Sequence, residues 1–225
     1  MNEENLSVFG SSPAPNKEDI LFGPGEDWQL NAWIGQLESD WVYSNGFRMA
    51  AQHLVMQVCE NRTGQDMLIY PIVYLYRHHV ELVLKAIVKS ASRLLDRELP
   101  VRDLKTLGGH GLSELWQAAR PLLNPVCKRA GNSAFPDNEL EGVDSYIRQI
   151  HEHDPDGQRF RYATTKTKRE GRPILTHSLS PSLKLINIST FATAMERLAD
   201  YLEGIESWFG DLEDAKYEWE QKSGG

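Results

Sequence analysis

The fold of this chain depends most on one apolar stretch, residues 72–88, with the sequence IVYLYRHHVELVLKAIV. Valine, leucine and isoleucine would occupy most sides of a helix drawn through it, and a helix of that kind is normally buried. Pro71 precedes the stretch and suits the first turn of a helix, where its missing N–H costs nothing. The stretch therefore predicts a buried helix from about Ile72 to Leu95.

The polar residues of this helix share one side. At ~100° per residue, they fall within a single sector, which contains Tyr74, Arg77, His78, Glu81 and Lys85. Glu81 lies four residues from both Arg77 and Lys85, so the three charges can neutralise one another. One interpretation is a salt-bridge stripe that faces solvent. The other is a catalytic cleft, where Arg77 and Lys85 hold an anion. In that cleft His78 moves protons and Glu81 orients its neighbours.

A second helical pattern lies near the C-terminal end, where apolar residues recur at alternating spacings of three and four. This final seam consists of Ile188, Phe191, Met195, Leu198, Leu202, Ile205 and Phe209. Such a seam buries one helix face against another helix. The pattern leaves open whether the partner helix belongs to the same chain, as inside bundles, or to a second copy. We also predict a homodimer formed by helical packing.

Together the patterns predict an all-α fold, a helical bundle of about five to six helices. A small β-hairpin, built from segments 159–165 and 173–179, is inserted before the last helix. Further helices are predicted over 47–59, 112–123 and 139–151, and from Asp27 through Leu30, Trp33, Ile34, Leu37 and Trp41. Pro121 and Pro125 help to end the helix over 112–123.

The predicted organisation has three parts. Residues 1–25 form a flexible lead-in, rich in serine, proline and glycine. Residues 26–210 form the helical domain, with the hairpin insertion at about 158–180, and residues 211–225 form an acidic tail.

Two loops are further candidates for binding an anion. Gly108-Gly109-His110-Gly111 precedes a helix; its N–H groups are suited either to a phosphate beside His110 or to capping alone. Segment 158–172 carries a local charge of +5 and interleaves cations with aromatic residues. That composition suits phosphate contact and base stacking, and equally a solvated hairpin face. The candidate RNA-binding residues here are Arg159, Arg161, Tyr162 and Lys166.

The composition limits the functional classes to which this chain can belong. The net charge of −8 argues against general electrostatic binding of nucleic acid. The only cysteines, Cys59 and Cys127, predict a reduced cytoplasmic compartment and exclude a Cys-based zinc module. His151 and His153 point in different directions on a helix and cannot easily share an ion, so we predict no metal site. We also predict no cofactor. No apolar run approaches the ~20 residues of a membrane span, and no secretory signal pattern is visible, so no membrane association is predicted.

Three motifs together resemble bacterial proteins of the HEPN-like class. The first is the helix segment YRHHVELVLK, residues 76–85, which is similar to the Arg/His…Glu-Leu…Lys helix of that class. The second is the loop Gly109-His110-Gly111-Leu112. The third is an Asp-x-x-Gly…Phe-Arg-Tyr pattern, here Asp154, Gly157, Phe160, Arg161 and Tyr162. The resemblance spans roughly Phe47 to Phe209.

The resemblance implies a helical bundle that is often dimeric. Many members of the class are metal-independent ribonucleases of toxin or phage-defence systems, and others are inactive binding modules. Active members carry Arg-x(4–6)-His, a spacing that Arg48–His53 and Arg172–His177 match here. We therefore predict a HEPN-like protein that acts on or binds RNA, with catalytic candidates Arg77, His78, Glu81, Lys85 and His110. The alternatives are a non-catalytic nucleotide-, RNA- or protein-binding module and a helical assembly subunit.

Overall fold

The computed structural model describes residues 21–35, 39–98, 101–169 and 172–223. The chain divides into two units, Met1–Glu38 and Ser39–Gly225. In the described part of the first unit, Asp27 caps only a 3-10 turn, Trp28–Leu30, and its carboxylate accepts from the Gln29 N–H. The predicted lead-in falls mostly on residues 1–20, outside the described ranges.

The prediction of a helix from Asp27 to Trp41 is wrong. Beyond the 3-10 turn, residues 31–35 are not helical, and Trp33 and Ile34 are 80% and 89% exposed; Leu37 lies outside the described residues. The first α-helix begins only at Asp40, with Ser39 as its N-cap. Short helices are marginal in water unless their apolar face is covered, which explains why the helical spacing of these residues did not suffice.

The second unit is mainly helical, which confirms the predicted fold class. Its six described helices are α1 (Asp40–Asn61), α2 (Gln65–Leu94), α3 (Val101–Gly108), α4 (Leu112–Arg129), α5 (Asp137–His153) and α6 (Ile188–Ser223). Strands β1 (Thr164–Arg169) and β2 (Arg172–His177) form an antiparallel pair before α6. The hairpin is thus confirmed, although residues 159–163 lie before the first strand.

Helix α2 is the centre of the unit, because it packs against α1, α4 and α6. Its apolar residues are buried on several sides, including Ile72, Val80, Leu84 and Ile87. The sequence prediction of a buried helix is therefore confirmed. Because α2 is enclosed in this way, its polar side chains are held in fixed positions. The polar stripe of α2, made of Tyr74, Arg77, His78, Glu81 and Lys85, is therefore the candidate site.

Three prolines lie inside helices rather than at their ends, contrary to the predicted boundaries. Pro71 lies inside α2, which begins at Gln65, and Pro121 and Pro125 lie inside α4. Each proline removes one backbone hydrogen bond from its helix. Helix α4 continues to Arg129 and buries Leu123 and Val126 in the core. We infer that this burial outweighs the lost hydrogen bonds.

The final seam packs inside the chain. Six of its seven residues are buried, and Phe191 meets Tyr76 of α2 edge to face, with ring centroids 6.1 Å apart. The predicted acidic tail is not a separate segment, since α6 continues to Ser223. Glu213 bonds Arg93 at the end of α2 at 2.6 Å, and Lys216 bonds the Arg93 carbonyl at 3.0 Å.

Candidate functional site

The polar stripe of α2 meets two loops around one buried carboxylate, Glu81. One carboxylate oxygen, Oε1, accepts from Lys85 Nζ at 2.8 Å and lies 2.9 Å from His110 Nδ1. The other, Oε2, accepts from Arg77 Nη1 at 3.1 Å and lies 3.8 Å from His78 Nδ1. All five predicted catalytic residues therefore converge. We call Glu81, Arg77, Lys85, His78 and His110 the Glu81 cluster.

Glu81 keeps its negative charge despite its burial. Burial alone favours the neutral acid, but the neighbouring His78, Lys85 and His110 outweigh it and hold the pKa of Glu81 well below its usual range. An ionised carboxylate only accepts hydrogen bonds, so Nδ1 of His110 must be the donor in their 2.9 Å contact. The second ring nitrogen of a neutral His110, Nε2, then carries the free lone pair.

Arg77 does not have the anion-holding role predicted for it, and this is a correction. Its guanidinium donates hydrogen bonds to Glu81 and to the carbonyl oxygens of His110 and Asp154, and it forms an ion pair with Asp154 Oδ2 at 3.2 Å. The side chain of Arg77 is almost fully buried. Gly157 covers it from the loop after α5, and a Cβ built on Gly157 would lie 2.6 Å from Arg77 Nη1. Arg77 therefore joins α2 to both loops and has no free face for a ligand.

The remaining members of the cluster reach solvent to different degrees. The side chain of His110 is 57% exposed, that of His78 23% and that of Lys85 16%. The cluster thus has a buried anchor, Arg77–Glu81, and an accessible edge made of two imidazoles and one ammonium group. This differs from both sequence interpretations, since the stripe is neither a solvent-facing salt-bridge ladder nor an open cleft around Arg77.

Aromatic contacts connect this edge to the hairpin side of the unit. The His78 ring stacks on Tyr74 at 5.7 Å and meets Phe47 edge to face at 4.4 Å. Arg161 lies over the Tyr74 ring at 5.2 Å and over the Tyr162 ring at 5.3 Å. Arg161 and Tyr162 are exposed, and the Tyr74–Arg161–Tyr162 stack continues from His78 towards the hairpin.

The other two predicted RNA-binding residues lie on different elements, Arg159 in the segment after α5 and Lys166 on β1. The backbone N–H of Arg159 donates to Asp154 Oδ1 at 2.9 Å, which fixes the segment after α5. Lys166 is exposed on β1 opposite Leu175. Three of the four candidates, Arg159, Arg161 and Tyr162, line one cavity, whereas Lys166 does not line it.

Neither sequence match to Arg-x(4–6)-His forms a site. Arg48 is held by three carboxylates of α6, namely Glu196, Asp200 and Glu203. His53 is exposed on α1 and its Nδ1 contacts the Met49 carbonyl at 2.7 Å. Arg172 and His177 lie at opposite ends of β2, where they pair with Arg169 and Thr164. An odd spacing of five on a strand also places the two side chains on opposite faces.

His79 of α2 lies away from the polar stripe. It is buried between α1 and α6, with Nδ1 3.0 Å from the Ser44 carbonyl and Nε2 3.5 Å from Glu203 Oε1. Burial, which disfavours imidazolium, lowers the pKa of His79.

Sequence reasoning missed the site role of Asp154. Asp154 was named only as a member of the third motif. Its pairing with Arg77 spans 77 positions, and no local spacing indicates it. One signal was available. An arginine on a buried helix needs more partners than Glu81 alone supplies, so a second acidic residue was to be expected from elsewhere in the chain.

Within the described residues, no group of three or more His, Cys, Asp or Glu side chains is arranged to hold a metal ion. None of the described helices combines the length and apolarity needed to cross a membrane. Comparison with protein-family models, with curated proteins and with solved structures finds no significant match.

Proposed function

We propose that this chain is a HEPN-like protein that cleaves RNA without a metal, with the Glu81 cluster as its active site. The observation that carries the proposal is the Glu81–His110 pair. A buried, ionised carboxylate bonds one nitrogen of an imidazole that is more than half exposed. A base oriented by a carboxylate in this way is the usual arrangement for general acid–base chemistry.

The proposed reaction is attack of a ribose 2′-hydroxyl on the adjacent phosphorus. His110 Nε2 takes the proton of that hydroxyl, the O2′–P bond forms, and the bond from phosphorus to the 5′-oxygen breaks. Protonated His78 returns a proton to the leaving 5′-oxygen, so the products are a 2′,3′-cyclic phosphate and a 5′-hydroxyl. Lys85 is the cation of the cluster that stabilises the charge on the phosphoryl oxygens.

His110→Gln tests the chemistry directly. Glutamine retains an amide donor for Glu81 but cannot accept the hydroxyl proton as a base. We expect cleavage of a mixed single-stranded RNA in EDTA to slow by about 100-fold or more. The measurement is the rate of fragment formation at saturating protein.

His53→Gln is the matched control, because His53 is an exposed histidine on α1 outside the cluster. It should cleave at the wild-type rate. The proposal fails if wild-type protein leaves RNA intact, or if His110→Gln cleaves as fast as His53→Gln while both variants unfold at the same urea concentration.

A second candidate function is RNA or nucleotide binding without cleavage. The Tyr74–Arg161–Tyr162 stack supports it, since an exposed tyrosine beside an exposed arginine is suited to hold a base and a phosphate. Under this alternative Arg161→Ala weakens RNA binding, and no fragments form in any variant.

Two wider expectations rest on the resemblance. A toxin or phage-defence setting is implied by the HEPN-like motifs alone. A homodimer is also implied, but the final seam is buried against the chain's own α2, so a dimer would have to use another surface.

A further inference from the structure

A groove of about 570 Å³ lies beside the hairpin, next to the Tyr74–Arg161–Tyr162 stack. We call it the hairpin groove. Its lining includes Arg159, Arg161, Tyr70, Tyr162, Ser178 and Ser180. Its volume falls within the range of about 300–1,000 Å³ that is usual for small-ligand sites.

The hairpin groove is suited to an anion that carries a flat ring. Two arginines and His177 line it, and no carboxylate side chain is among its described lining residues. Tyr70 and Tyr162 are partly exposed and Phe160 is buried, so aromatic rings are available beside the cations. A phosphate with an attached nucleobase matches this combination of charge and aromatic surface.

Ser178 is part of the wall of the groove. It is 5% exposed, and its backbone N–H donates to the Ala163 carbonyl at 3.0 Å. This hydrogen bond joins the residue after β2 to the residue before β1, so it fixes the wall on which Ser178 lies.

We propose that the hairpin groove binds one nucleotide unit of single-stranded RNA, with its phosphate on Arg159 and Arg161 and its base against Tyr162. The inference rests on the proposal that the protein acts on RNA, and it adds a binding subsite outside the Glu81 cluster. Arg161 connects the two regions, because it contacts Tyr162 of the groove and Tyr74, which stacks on His78. A strand held in the groove would thus be directed towards His78.

The test is binding of a fluorescent 2′-O-methyl RNA hexamer, which lacks the attacking hydroxyl and is not cleaved. Tyr162→Ala and Arg159→Gln should each raise the Kd by about 5-fold or more, measured by fluorescence anisotropy with the full chain. Lys168→Gln, an equal charge change on exposed β1 outside the groove, should change the Kd by less than about 2-fold. An abasic hexamer should bind wild-type protein weakly and should not respond to Tyr162→Ala.

The outcomes separate this inference from the proposed function. Equal Kd values for the groove variants and wild type overturn the groove assignment, and His110-dependent cleavage can still stand. Weakening by Lys168→Gln as large as that by Arg159→Gln also overturns it, because binding would then follow overall charge. Weaker binding of the groove variants in a protein that cleaves no RNA supports the groove and rejects the nuclease.

Discussion

Arg77 is the residue on which the site is assembled, although it does not meet a ligand. Its guanidinium forms ion pairs with carboxylates from α2 and from the loop after α5, and it donates a hydrogen bond to the backbone of the loop before α4. Removing one partner of a buried ion pair leaves an uncompensated charge, which is strongly destabilising. Arg77 therefore helps to position both the loop that carries His110 and the segment after α5.

Gly157→Ala should disturb that assembly. Gly157 has φ +74°, and an alanine Cβ there would lie 2.6 Å from Arg77 Nη1. The matched control is Gly131→Ala, where φ is +73° but no atom lies within 4 Å. The control should lose about 1–2 kcal/mol of unfolding free energy from backbone strain alone. We expect Gly157→Ala to lose at least about 2 kcal/mol more in urea unfolding, and equal losses would refute the contact.

The charge of Glu81 predicts a pH dependence of stability. Its pKa in the folded protein lies below the usual value of 4.5, so its contribution is complete at neutral pH and decreases as pH falls below that value. Glu81→Gln should cost about 3–5 kcal/mol at neutral pH. In urea unfolding from about pH 7 to about pH 3, the gap between wild type and variant should narrow on the acid side. A constant gap would mean that Glu81 is not ionised in the fold.

At the scale of elements, long apolar patterns predicted the buried helices correctly, whereas prolines did not predict where the helices end. Helices α2 and α6 were predicted from their spacing, and both pack in the core. Prolines were interpreted as helix ends, yet Pro121 and Pro125 lie inside α4 because tertiary burial outweighs local preference. Around Trp33 the prediction was wrong in the opposite sense. The apolar residues have helical spacing, but Trp33 and Ile34 are exposed and residues 31–35 form no helix.

The packing of α6 gives a prediction at this scale. Leu202 is fully buried in the final seam, so Leu202→Ala should cost about 2–5 kcal/mol of unfolding free energy. Leu185→Ala, at a 93% exposed leucine, should cost less than about 0.5 kcal/mol. Because the seam packs on α2 of the same chain, the destabilisation caused by Leu202→Ala should be the same at every protein concentration. A destabilisation that grows with protein concentration would show that a second copy shares the seam.

For the whole molecule, the sequence predicted which polar residues come together better than it predicted how buried each of them is. The five stripe and loop residues converge, because helix periodicity placed four of them on one side of α2 and the glycine-rich loop supplied His110. Periodicity could not distinguish buried Arg77 from accessible Lys85, since that depends on Asp154 and Gly157 from a distant loop. The hairpin groove was not predictable as a cavity, because Ser178 and Tyr70 are far apart in the chain.

The most direct test of the central claim uses an RNA strand with a single 2′-hydroxyl in an otherwise 2′-O-methyl backbone, incubated in EDTA with wild-type protein. If the Glu81-oriented His110 activates a ribose hydroxyl, the strand is cut only after that nucleotide and ends in a 2′,3′-cyclic phosphate. His110→Gln should leave the same strand whole. Failure of wild-type protein to cut this strand or any all-ribose RNA would contradict the account.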